Sequence, residues 1–213
     1  MKTEDLIAIL STRVENVDTR GPQRNLFRAI ILSLAVTIGG IVLWTGVRHD
    51  IDHLRELMFL MLKVGLGTLI ILGGALVLAR LGRPGAETFF DTRSCTAAAP
   101  GLGLLAVAAM LALPLFHLLQ HDAKGDWLEC LISIPVIAVV PFAAVVWAMR
   151  KMAPTNLRLT GAVTGLVAGG ISSIGYALHC TDDSLFFIAA WYGAAVAICV
   201  LAGALLGPRL LRW

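Results

Sequence analysis

The sequence has no Cys-x-x-Cys pair, no His-Glu-x-x-His, no glycine-rich phosphate loop and no recognisable catalytic triad. Without them there is no zinc ribbon, thioredoxin-type redox motif, zinc-protease helix or nucleotide site to build on, and the chain does not read as an enzyme. Charge is also scarce. Only 15% of the 213 residues are Asp, Glu, Lys or Arg, against about 25% in soluble domains. No basic tract is long enough to track a nucleic acid, so direct nucleic-acid contact is not expected. The alternation of a β-barrel is missing too. What is present in excess is apolar length, with 58% hydrophobic residues, and the natural solvent for such a chain is a lipid bilayer.

Crossing a hydrocarbon core of roughly 30 Å takes about 20 apolar residues. Six runs meet that length: Leu26 to Val47, Leu57 to Ala79, Gly101 to Leu119, Leu128 to Ala148, Leu159 to Leu178 and Leu185 to Leu206. In lipid the backbone must satisfy its own hydrogen bonds, so each run is expected to be a helix. The expected fold is therefore all-α, a polytopic six-helix membrane bundle. Residues 1–25 are polar and charged, which excludes a short cleaved signal core and makes Leu26 the start of an uncleaved first span. Two parts follow: a tail, 1–25, and a transmembrane domain, 26–213.

Basic residues in short loops stay on the cytoplasmic side. With six spans, 13 of the 17 basic residues fall on one side, at the N-terminus, around Arg80 to Arg93, around Arg150 to Arg158, and at Arg209 and Arg212. Arg48, Arg55 and Lys124 fall on the other, with Lys63 inside the second span nearer that face. Both termini are expected in the cytoplasm. Within the spans, Gly161, Gly165 and Gly169 recur every four residues and mark a close helix approach, either core packing or a dimer seam. Lys63 either snorkels to the outer interface or makes a buried functional ion pair.

This topology gathers His49, His53, His117, His121 and His179 at the outer face, together with eight of the 14 acidic residues, Asp182 and Asp183 among them. Cys130 heads the fourth span and Cys180 lies in the loop after the fifth. Two thiols at one depth on an oxidising face can staple two helix ends, switch with redox state, or bind a soft cation beside an imidazole such as His179. The i, i+4 pairs His49/His53 and His117/His121 each share a helical face and could assist such a site, or simply be solvated. Cys199 reads as a small buried residue and Cys95 as a cytoplasmic thiol. Apart from transient soft-metal binding at the outer cysteines, no cofactor is expected.

The tail has a helix start at Thr3, Glu4 and Asp5, followed by Leu6, Ile7, Leu10 and Val14. So short a helix is marginal alone and gains stability by burying its apolar stripe. Its polar face is mixed in sign rather than basic, which suits a protein partner better than a membrane surface. Asn16 to Gln23, with Gly21-Pro22, reads as a tether.

The segments MKTEDLIAIL, the Cys130 neighbourhood, ALHCTDDSLFFIAAWYG and the closing GPRLLRW make the whole chain similar to the NrsF family of membrane anti-sigma factors, negative regulators of the extracytoplasmic-function (ECF) sigma factor F. The most specific parts are Leu178-His179-Cys180 followed by Asp183-Ser184, and Gly207 to Trp213; Thr181-Asp182 departs from an expected Pro-Glu. The resemblance implies a multi-pass protein of the bacterial inner membrane that holds an ECF sigma factor through its cytoplasmic N-terminal segment. It also implies sensing of metal or oxidative stress at Cys130 and Cys180. The residues alone leave as alternatives a membrane thiol-disulfide oxidoreductase, a small transporter and a purely structural bundle.

Overall fold

The computed structural model describes residues 21–44, 46, 48, 54–82, 127–181 and 187–212. Among them are five helices long and apolar enough to cross a membrane. They are α1 (Gly21–Trp44), α2 (Leu54–Leu81), α3 (Trp127–Arg150), α4 (Leu157–Ala177) and α5 (Gly193–Leu210), the last entered through one π-helical turn, Ile188–Tyr192. The expected span Gly101 to Leu119 and the docking residues Leu6, Ile7, Leu10 and Val14 lie outside the described residues.

The helices overrun the apolar runs at several ends. The expected tether closes earlier than its composition suggests, because α1 already begins at Gly21. Pro22 then sits in the first helical turn, where its missing N–H has no intrahelical partner to lose. Leu26, Ile30, Ser33, Thr37 and Ile41 form the buried stripe of α1 at helical spacing. α3 carries Pro135 and Pro141 within its length, a burden that helices packed in a membrane tolerate through compensation by neighbours.

The element that organises the bundle is α4, which packs against α1, α2, α3 and α5. Of its membrane-length core, 72% is buried against protein, compared with 28% to 44% in the other four helices. It is also the least apolar of the five. Both properties have one cause: a helix surrounded by helices meets no lipid tails, so small and hydroxylated residues serve it better than large ones. Thr164, Ser172 and Ser173 are buried and donate to the carbonyls of Thr160, Ala168 and Gly170 one turn back, which removes the cost of burying a hydroxyl.

The glycine repeat belongs to the core. A methyl group at Gly161 would overlap the Gly203 carbonyl oxygen of α5, and one at Gly165 the Cys199 carbonyl oxygen. Gly203 and Gly207 face back onto α4 in the same way. Cys199, 6% exposed, clusters with Ala138 and Ala168, as expected for a small buried residue.

The helix directions follow from the packing. Leu26 and Ile30 of early α1, Leu78 and Ala79 of late α2, Val145 and Met149 of late α3, Leu157 and Val163 of early α4, and Leu210 and Leu211 at the close of α5 belong to one cluster. At that end Gln23 donates to the Ala79 carbonyl, Arg150 donates to the Leu210 carbonyl, and the Lys151 ammonium lies 3.7 Å from the Trp147 ring centroid. Arg24, Arg28, Arg80, Arg158, Arg209 and Arg212 also lie near it, whereas Arg48 and Arg55 sit at the opposite end. The bundle thus has a base-rich end and a base-poor end.

A matched pair of substitutions tests the packing. Gly165→Ala should force α4 and α5 apart and cost about 1–3 kcal/mol. Gly73→Ala, where an added methyl meets nothing within 4 Å, should stay within about 0.5 kcal/mol of the wild type. Unfolding in mild detergent, followed by thermal or denaturant titration, reads both.

Candidate functional site

Cys130 lies in the first turn of α3, at the base-poor end. Tyr176 is the next-to-last residue of α4, and the backbone stays helical just beyond it: the N–H groups of His179 and Cys180 both donate to the Tyr176 carbonyl, at 3.0 and 2.9 Å. That extra turn carries Cys180 onto the face of Tyr176, four residues back. The two cysteines meet in one buried cluster with Ile134, Tyr176, Ala177, Phe187, Tyr192 and Ala195. Cys130 is 1% exposed and Cys180 6%. Both are thiols, as is Cys199.

The chain has only two tyrosines, and both are here. Tyr176 and Tyr192 stand with ring centroids 6.1 Å apart. The Tyr176 hydroxyl is within hydrogen-bonding reach of Cys130, while Tyr192 brings its hydroxyl beside Cys180. The π-helical turn fixes Tyr192: its wider spiral lies directly before α5, and such turns recur at functional positions. Each thiol thus has a phenol beside it inside an apolar shell.

The charge at the site comes from α2 and from the segment preceding it. Arg48 Nη1 donates to the Cys180 carbonyl at 3.3 Å, and Lys63 Nζ donates to the same oxygen at 3.4 Å. The Arg48 backbone N–H donates to the Leu178 carbonyl at 3.1 Å, and its guanidinium lies 3.8 Å from the Glu56 carboxylate. The attraction has a plain origin, because the last carbonyls of a helix lack intrahelical donors and carry the negative end of its dipole. Lys63 also lies 5.9 Å from the Tyr192 ring centroid. At 3% exposure Lys63 does not snorkel to the interface; it extends toward the base-poor end inside protein. Hydrogen bonds to charged groups of this kind contribute about 1.5–3 kcal/mol each, and stripping a buried charge of its partner costs about 3–5 kcal/mol.

Of the expected accessory residues, His179 is half-buried and sets its ring edge-on to Tyr176, with centroids 6.2 Å apart. His49, His53, His117, His121, Asp182 and Asp183 lie outside the described residues. Among the described residues no three His, Cys, Asp or Glu side chains stand close enough together to hold a metal ion. Sequence reasoning missed both tyrosines and the shared carbonyl. The signals were there: two tyrosines in the whole chain, one four residues before Cys180, and a lysine inside a span.

The NrsF family, described as negative regulator of sigma F, matches residues 10–213. The chain is 34% identical over 218 residues to the probable anti-sigma-F factor NrsF of Azospira oryzae. It is 31% identical over 230 residues to the anti-sigma-F factor NrsF of Caulobacter vibrioides. Each comparison covers the whole of both chains. No solved structure matches. With the family match spanning nearly the full sequence and two relatives matched end to end, the chain belongs to the NrsF family of negative regulators of sigma F.

Proposed function

We propose that the protein is a membrane-bound anti-sigma factor that holds an ECF-type sigma factor at the cytoplasmic face of the bacterial inner membrane and releases it when Cys130 and Cys180 are oxidised. The end-to-end match to two anti-sigma-F factors carries the first half of this reading. The second rests on the gathering of both cysteines in one buried cluster at the base-poor end.

The orientation follows from charge. Arginines and lysines at the base-rich end favour the cytoplasmic side, which supports a cytoplasmic start for α1. A sixth span is supported by the chain's direction, since α2 finishes at the base-rich end and α3 starts at the base-poor end. On this reading six spans leave both termini inside.

Leu6, Ile7, Leu10 and Val14 supply the apolar stripe for the sigma factor. Burial of three or four such side chains against a partner contributes about 1.5–3 kcal/mol apiece, enough to offset the ordering of a short helix. On the other side, a neutral two-electron oxidant takes two electrons and two protons from the Cys130 and Cys180 thiols as the sulfur–sulfur bond forms.

Two measurements test the halves separately. A membrane-anchored copy should capture an ECF sigma factor from its own cells, and a copy lacking residues 1–25 should capture none; equal capture by both removes the tail from the mechanism. Cys130→Ser with Cys180→Ser should keep the sigma factor bound and abolish release on oxidation, read as sigma factor eluted from the immobilised complex. Unchanged release by that double variant refutes the sensor assignment.

A further inference from the structure

A signal that begins at Cys180 and ends at the tail needs a mechanical route between them, and the backbone around Cys180 provides a candidate. Its carbonyl oxygen accepts from Arg48 and from Lys63, and the neighbouring Leu178 carbonyl accepts from the Arg48 N–H. All three donors belong to the α1–α2 hairpin. α1 is also the helix that continues from the tail.

We infer that Arg48 and Lys63 are positioning residues that couple the Cys180 backbone to the α1–α2 hairpin, so that a change at the thiols is delivered to α1 and its cytoplasmic tail. This rests on the sensor reading above.

Forming a disulfide draws two sulfurs to about 2.05 Å, far inside van der Waals contact, and whatever side-chain rotation does not absorb falls on the backbone at one or both ends. Cys130 belongs to α3, a helix anchored along its length by Ile134, Ala138, Val145 and Met149 in the core. Cys180 lies past the end of α4, so its backbone is the freer of the two to move. When its carbonyl shifts, the two cations face a choice. Letting go breaks two hydrogen bonds from charged donors in a place sheltered from water, with Lys63 3% exposed and the Arg48 side chain 1% exposed. Following the carbonyl keeps both bonds. Breaking both bonds is the costlier course, since hydrogen bonds to charged groups contribute more than neutral ones, so the hairpin follows.

The two cations reach one acceptor from separate places, Arg48 from the stretch ahead of α2 and Lys63 from more than two turns inside it. The grip therefore spans the upper part of the hairpin. α1 meets α4 lower down, where Gly175 lies against Thr37 and Ile41. A displacement at the top can tilt α1 about that contact.

The test uses the full-length protein in lipid nanodiscs, with Cys95→Ser and Cys199→Ala leaving Cys130 and Cys180 as the only thiols. Diamide is the oxidant; it accepts two electrons and two protons and becomes the corresponding hydrazine as the disulfide forms. Mass spectrometry gives the fraction bridged, hydrogen exchange reports on residues 54–66, and elution reports release of captured sigma factor. In the parent protein, bridging should change exchange in residues 54–66 and release the sigma factor.

Lys63→Met should bridge to the same extent, leave exchange in that segment unmoved and release at least about fivefold less sigma factor, the lower bound for a coupling of ordinary size. Lys63→Arg should restore both responses. Arg48→Met, paired with Arg48→Lys, repeats the comparison if Lys63→Met fails to assemble. Bridging in the parent with no change in residues 54–66 overturns the coupling, whatever the sigma factor does. Full release by both Met variants overturns it as well. A change in exchange without release keeps the coupling and sinks only the link to the sigma factor.

Discussion

Everything in this bundle depends on how closely α4 can be approached. Its glycines let the carbonyl oxygens of α5 sit where side chains would otherwise be, and its hydroxyls turn back on their own helix. That leaves a slender central rod against which the other four described helices lie. Interhelical contact in lipid gains nothing from expelling water, so tight van der Waals packing has to supply the cohesion. The position of α4 sets the position of its last carbonyls, and those carbonyls set where the cations of the α1–α2 hairpin are held. The thiol cluster is thus built on the end of the most enclosed of the described helices.

Much of the fold was legible because lipid imposes a simple length rule. Five of the six apolar runs correspond to described helices, with ends displaced by a few residues. The displacements have local causes. Gly21-Pro22 resembles a linker by composition, yet proline is well suited to the first turn of a helix, and the sequence cannot say which setting applies. The glycine repeat announced a close approach but not a partner; only the mutual fit of Gly161 and Gly165 with Gly203 and Cys199 names α5.

The site was less legible. Cys130 and Cys180 could be placed at one depth from topology alone, but their burial could not, because a loop cysteine is ordinarily expected to face solvent. The extra turn after α4 reverses that expectation by carrying Cys180 back over Tyr176. Lys63 stood out as an ionisable group within a span, with its partner hidden: a backbone carbonyl has no signature in a sequence. The tyrosines were visible as a pair only by their rarity. Apolar periodicity finds helices, whereas convergence of a dipole end, two cations and two phenols is a property of assembled helices.

The enclosure of α4 also bears on how the protein is made. A segment rich in glycine, serine and threonine is a weak candidate for insertion on its own, since its small side chains offer little to the translocon's partition between water and lipid. Its companion α5 is far more apolar and is translated immediately afterwards. The pair is therefore best committed to the bilayer as a hairpin, with the glycine faces already zipped together. During synthesis α4 waits for α5, and the thiol cluster, which needs Tyr192 from the turn that leads into α5, is completed only once that helix has followed.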